Sequence, residues 1–157
     1  MKPAYIVALS LVILSSCKDP EPEKPTVVDD TKQLSYTVTA TYPHNPESFT
    51  EGLEYHDGFL YESTGESNGY NGKSKLARID LKTGNDLQKV SIGKEYFGEG
   101  MTILNGKIYQ MTYKEQKCFV YDAKTFAKLK ELTYQGEGWG LTNDGKQLIM
   151  SNGSSNL

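Results

Sequence analysis

Three glutamates, each followed by a glycine, recur along the chain as Glu51-Gly52, Glu99-Gly100 and Glu137-Gly138, with the glutamates 48 and 38 residues apart. A turn dipeptide follows each at a nearly constant interval: Asp57-Gly58, Asn105-Gly106 and Asp144-Gly145. Carboxylates held at one repeat position in partly dry surroundings raise one another's proton affinity. That fits one of them for general acid/base work near neutral pH. The glycine after each acid lets the backbone bend or approach a neighbour. The same pairs also read as turn chemistry, with the carboxylates capping backbone N–H groups. Aromatic residues flank the acids: Phe49, Phe97, Tyr113 and Trp139, the only tryptophan. A funnel of acids with aromatic walls suits a small organic or peptide end-group, although aromatics at such positions also serve packing between repeats.

Other reactive patterns are weaker. His44 and His56 stand alone, without the spacing of a metal site, and are expected in loops. Gly136-Glu137-Gly138-Trp139-Gly140 is glycine-rich, but its carboxylate would repel phosphate and no helix follows to receive one. Ser63-Thr64-Gly65 lacks the strand–turn–helix setting of a nucleophile elbow.

The elements that must position these residues are short strands. The runs Leu34–Thr41, Phe59–Ser63, Lys75–Asp80, Lys107–Thr112, Cys118–Asp122 and Lys128–Thr133 are β-rich, and Asn-Gly, Asp-Gly and Thr83-Gly84 signals separate them. A second rhyme closes each unit: Ala77-Arg78-Ile79-Asp80-Leu81-Lys82-Thr83-Gly84 matches Phe119-Val120-Tyr121-Asp122-Ala123-Lys124-Thr125-Phe126. An all-β unit of about forty residues ending in an Asp-turn is the footprint of a β-propeller blade, and one such blade cannot bury both of its faces alone. The expectation is a propeller represented by about two and a half blades, with the third unit stopping at Leu157 and left without a neighbour. The Glu-Gly pair is expected just before the innermost strand of each unit, so that the three acids crowd the mouth of the channel.

The chain has 157 residues and a formal net charge of −3, with Lys and Arg scattered. That length suits one folded domain, and the missing basic face argues against nucleic acid. Its first residues read as an address. Lys2 and the apolar stretch Ala4–Leu14 precede Leu14-Ser15-Ser16-Cys17, which resembles a bacterial lipobox whose Cys17 is acylated. The expected organisation is a signal peptide over 1–17, a Pro- and acid-rich tether over 18–33, and the β domain over 34–157. The protein is accordingly expected in the cell envelope, lipid-anchored and facing periplasm or surface. Cys118, in a strand-like run, is expected to be a buried apolar filler rather than a redox partner of Cys17.

Several motifs arrive in order: Tyr42-Pro43-His44-Asn45-Pro46, Phe49-Thr50-Glu51-Gly52-Leu53, Leu60-Tyr61-Glu62-Ser63-Thr64-Gly65, Phe97-Gly98-Glu99-Gly100, Phe119-Val120-Tyr121-Asp122 and Gly136-Glu137-Gly138-Trp139-Gly140-Leu141-Thr142. Over about Ser35 to Leu157 they resemble the plant-type and bacterial glutaminyl cyclases, or glutamine cyclotransferases. The resemblance implies a five-bladed β-propeller that converts the N-terminal glutamine of a peptide or protein to pyroglutamate with release of ammonia, without a catalytic metal. It implies that Glu99 is the catalytic carboxylate and that Phe49, Phe97 and Trp139 wall the substrate; Glu51 and Tyr113 are expected to join them at the substrate, and Glu137, from the repeat, to be a secondary carboxylate. It also leaves room for a structural cation in the channel, to which no residue here is assigned. Two positions depart from the family pattern. Glu51 stands where many members have Gln, and Tyr113 where Trp is usual. Later blades of the family add an Asn, a Trp and a Lys to the pocket, so the pocket is expected to be incomplete in this chain alone. The alternative reading is a non-catalytic propeller lipoprotein that binds peptides or glycans through the same funnel.

Overall fold

Turn chemistry sets the strand ends. Asp57-Gly58 and Asn105-Gly106 place two successive residues at positive φ (47° and 85°, 52° and 69°), as a two-residue hairpin that follows the twist of its strands requires. The computed structural model describes residues 32–157, so Cys17, its lipobox and the 18–31 stretch of the tether lie outside the described residues. Ten strands follow one another and no helix intervenes among the described residues. They are β1 (Phe49–His56), β2 (Phe59–Gly65), β3 (Lys75–Ile79), β4 (Asp86–Ser91), β5 (Gly98–Leu104), β6 (Lys107–Thr112), β7 (Lys117–Asp122), β8 (Lys128–Thr133), β9 (Leu141–Asn143) and β10 (Leu148–Met150). They form two four-stranded antiparallel meanders, β1–β4 and β5–β8, and a two-stranded pair, β9–β10. All of this lies in one compact unit, Val38–Leu157.

The second rhyme has a mechanism. Asp80 accepts hydrogen bonds from the N–H groups of Lys82 (2.8 Å) and Thr83 (2.9 Å), and Asp122 from those of Lys124 (3.0 Å) and Thr125 (2.8 Å). Each aspartate thus folds the chain from the third strand of its meander back into the fourth.

The meanders interlock through polar groups as well as core side chains. Glu54 of β1 accepts from the Thr102 hydroxyl (2.7 Å) and the Ile103 N–H (3.1 Å) of β5. From the other side, Asn143 of β9 donates to Thr102 Oγ1 (2.7 Å) and the Ile103 carbonyl (3.1 Å). Gln110 of β6, fully buried, donates to Ser63 Oγ of β2 at 2.8 Å. Around these lie Tyr61, Leu76, Met101, Ile103, Ile108, Phe119, Tyr121 and Phe126 as one apolar cluster. Cys118 is buried and its thiol is pushed up to about 11, chiefly by burial, which suits the apolar filler expected of it.

Three expectations need correction. Leu34–Thr41 forms no strand: residues 32–48 carry none, and Val38 and Tyr42 are exposed, because the run has no ladder partner among the described residues. The strand β4 was not anticipated, because its apolar Leu87 and Val90 lie three apart and break the period of two. His56 is the last residue of β1 rather than a loop residue.

Candidate active site

The two central acids owe their placement to irregularities in the first strands. In β1 the register runs Phe49↔Gly65 and Thr50↔Thr64 and resumes at Gly52↔Ser63, leaving Glu51 as the extra residue. In β5 it runs Gly98↔Thr112 and resumes at Met101↔Gln110, so one residue too many spans Glu99-Gly100. Each is a β-bulge, which breaks the alternation of faces and re-aims a side chain. The Glu-Gly pairs of β1 and β5 therefore lie within their strands, not before them and not in turns. Only Glu137-Gly138 precedes its strand, β9.

Glycine permits the neighbouring repeats to meet at these bulges. A Cβ on Gly52 would lie 2.6 Å from Met101 N, and one on Gly100 would lie 2.5 Å from the Trp139 carbonyl oxygen, both impossible contacts. Main-chain bonds knit the aromatic wall together. Tyr113 N–H donates to the Phe97 carbonyl (2.9 Å), Gly138 N–H to that of Tyr113 (2.8 Å), and Gly100 N–H to that of Trp139 (2.8 Å).

A cavity of about 550 Å³ opens there. Glu51, Phe97, Glu99, Tyr113 and Trp139, all picked out from the sequence, line it together with Glu66, Gly69, Tyr70, Lys114 and Gly140. Trp139 donates its indole N–H to Glu137 (3.1 Å), and its ring rests where a Cβ on Gly153 would fall at 2.6 Å. Glu137 is held by Lys114 at 3.8 Å, outside the lining. Phe49 likewise does not line the cavity; it packs edge-on against Phe97 with 6.0 Å between ring centroids.

The electrostatics single out Glu99. It is 8% exposed. Burial first, and then the charges of Glu51, Glu115 and Glu137, lift its pKa to about 7. Burial also raises Glu51. Of the three repeat acids, Glu51 and Glu99 line the cavity together and Glu137 acts on Glu99 from outside the lining.

Repeat reasoning missed Glu66, Tyr70, Lys114 and Glu115, because the β2–β3 and β6–β7 loops that carry them hold the same place in the two meanders but differ in length and share no sequence rhyme. Glu66 is buried and accepts from the N–H groups of Asn71 (2.8 Å), Lys73 (2.6 Å) and Ser74 (3.0 Å). Burial works against its charge, but these backbone donors outweigh it and hold its pKa below the usual carboxylate range. The β2–β3 loop that carries Tyr70 is thereby laced to one buried anion. The sequence signal was available in the run Gly69-Tyr70-Asn71-Gly72, an aromatic set between glycines.

The sequence model of the glutamine cyclotransferase family matches residues 7–157. The chain belongs to that family. It is 38% identical over 122 residues to a glutaminyl-peptide cyclotransferase of Arabidopsis thaliana, covering 76% of this chain and 37% of that protein. Its fold is similar to the crystal structure of Myxococcus xanthus glutaminyl cyclase, with a TM-score of 0.63 and 29% identity over 71% of this chain and 45% of that one. The chain thus spans less than half the length of either relative. Its meanders agree with the β-propeller-like fold of the family.

Proposed function

We propose that the full-length protein converts N-terminal glutamine of peptides or proteins to pyroglutamate with release of ammonia, and that Glu99 moves the proton. The observation that carries this reading is a nearly buried carboxylate, poised near neutrality on a bulge, in an aromatic-walled cavity. The free α-amine of the substrate attacks its own side-chain amide carbon. A C–N bond forms, and the bond to the amide nitrogen breaks. Glu99 accepts the proton of the attacking amine and delivers it to the departing nitrogen, which leaves as ammonia. Because ring closure is intramolecular, holding the glutamine folded between Phe97, Tyr113 and Trp139 supplies part of the acceleration. Glu51 faces the same cavity and suits the cationic form of the substrate amine before it loses its proton.

In this reading the remainder of the full-length protein completes a five-bladed ring, supplies further pocket residues, and is held at the cell envelope through lipid on Cys17. The deciding assay uses the full-length protein with a peptide beginning in glutamine. It follows ammonia release together with the loss of one ammonia from the peptide mass. Absence of both from a folded preparation would overturn the proposal.

The pH dependence follows from the charge state of Glu99. Only the ionised carboxylate can take the amine proton, so kcat/KM should rise with pH through about 7. Glu51 is the largest charge acting on Glu99, after burial itself. Glu51→Gln should therefore move that limb to lower pH, because removing a neighbouring negative charge makes Glu99 easier to ionise. A limb that stayed in place would mean that Glu51 does not act on Glu99.

A further inference from the structure

Outside the repeat pattern, one contact ties two loops together beside the cavity. The hydroxyl of Tyr70, on the β2–β3 loop, donates to Glu115 on the β6–β7 turn at 2.6 Å, across 45 residues of sequence. The Tyr70 ring packs against Phe97 with 6.1 Å between centroids, and Phe97 in turn lies 6.0 Å from Tyr113. Glu115 is half-buried, and its second oxygen is shut off from solvent without a hydrogen-bond partner. A carboxylate in that state is fixed by the one hydroxyl it has. Its neighbour in sequence, Lys114, does not bind it: that ammonium lies over the Tyr113 ring at 4.7 Å and faces Glu137.

We propose that Tyr70 and Glu115 are a positioning pair for the reaction at Glu99: the Tyr70 hydroxyl clamps the Glu115 side chain so that its charge acts on Glu99, and the same bond holds the Tyr70 ring against Phe97 as a wall of the cavity. The inference rests on the cyclase reading for its kinetics but not for its geometry. The charges that bear on Glu99 are Glu51 from β1, Glu115 from the β6–β7 turn and Glu137 from the β8–β9 link, and Glu99 in turn helps to raise Tyr70 of the β2–β3 loop. Glu66 and Lys114 also line the cavity. Tyr70 itself stays protonated: burial, and then its bond to Glu115, push its pKa up to about 12. It is therefore a donor at every working pH, and the clamp does not switch.

The two halves of the pair separate by substitution. Tyr70→Phe keeps the ring and removes only the hydroxyl; the wall loosens and Glu115 is released, so KM should rise about tenfold with a smaller fall in kcat, and the pH profile should move in the same direction as in Glu115→Gln. Glu115→Gln keeps an acceptor for Tyr70 and removes only the charge. The ratio of kcat/KM at pH 6 to that at pH 8.5 should rise about threefold, with KM held near the parent's. Glu115→Ala should show both effects. A purely structural contact would instead lower thermal stability and kcat in all three variants without moving the pH profile. That result, or a Glu115→Gln profile that superimposes on the parent's, would overturn the proposal. Titration of the Glu99 carboxylate by NMR in the full-length parent and Glu115→Gln proteins needs no substrate. A lower Glu99 midpoint in the variant supports the pair even if no turnover is found, and an unchanged midpoint sinks it even if turnover is normal.

Discussion

Glu99→Gln in the full-length protein is expected to cut kcat on a glutamine-initiated peptide by about 10²–10⁴-fold, the usual contribution of a positioned general acid/base, while KM changes little. The substitution is nearly isosteric and leaves the bulge, the glycine contacts and the aromatic wall in place. What it removes is the carboxyl lifted to about 7. An amide cannot carry the proton from amine to leaving nitrogen. Turnover should still exceed the uncatalysed reaction, because the cavity keeps the glutamine folded for ring closure. The same variant has a stability signature. In the folded protein Glu99 holds its proton more tightly than an ordinary carboxylate, so native stability falls as pH rises from about 4.5 toward 7. Glu99→Gln should escape that loss: its stability relative to the parent should increase over that interval and level off above it. A variant that is inactive yet stabilised at pH 8 confirms that the loss is chemical rather than structural. A protein that binds peptides without transforming them would show the stability change and no kinetic one, and unaltered kcat in Glu99→Gln would remove this residue from the reaction.

How far the sequence carries depends on whether a feature repeats. Glu51 and Glu99 were found because the same dipeptide recurs at a fixed distance from a hairpin turn. That they sit on bulges was not legible, since a bulge is a property of the pairing between two strands and the sequence shows one strand at a time. Trp139 was visible as a lone aromatic, but the Gly153 it rests on lies in a segment that reads only as a turn. Tyr70 and Glu115 were invisible for a different reason: the equivalent loops that carry them differ in length and sequence between the repeats, and their contact joins the two meanders. The rhyme between Gly84 and Phe126 is instructive. Both occupy the left-handed region after the aspartate turn, at φ 71° and 60°. Glycine does so freely. Phe126 is held there by burial of its ring, 6.2 Å from that of Tyr61, so packing overrides backbone preference at the second repeat, and the match is carried by the aspartate and threonine before it rather than by a glycine.

The largest effect on stability is expected at Gly100, which couples the site to the fold. Gly100 is not among the residues with positive φ, so alanine there meets no backbone penalty of its own and the result depends on space alone. There is none. A Cβ would contact the Leu141 backbone nitrogen and lie 2.5 Å from the Trp139 carbonyl oxygen and 2.8 Å from the Gly140 carbonyl carbon, all main-chain atoms of the next repeat that cannot rotate aside. Relief requires moving β5 away from the 139–141 segment, which breaks the Gly100 N–H bond to the Trp139 carbonyl. Overpacking of this kind costs about 1–3 kcal/mol, and the lost hydrogen bond about 1 more. Gly106, in the hairpin of the same meander, is the opposite case: its φ is 69° and nothing lies within 4 Å of its Cβ position. Alanine there should cost only the left-handed penalty of about 1–2 kcal/mol. Denaturant unfolding of the two full-length variants should therefore rank Gly100→Ala as the more damaged, and the kinetics should separate them further. Gly100 adjoins Glu99, so displacing its backbone misplaces the carboxylate, whereas Gly106→Ala leaves the bulge where it was. Equal destabilisation in the two variants would mean that the repeats do not meet backbone to backbone at the bulge, and the route by which the fold aims Glu99 into the cavity would have to be sought elsewhere.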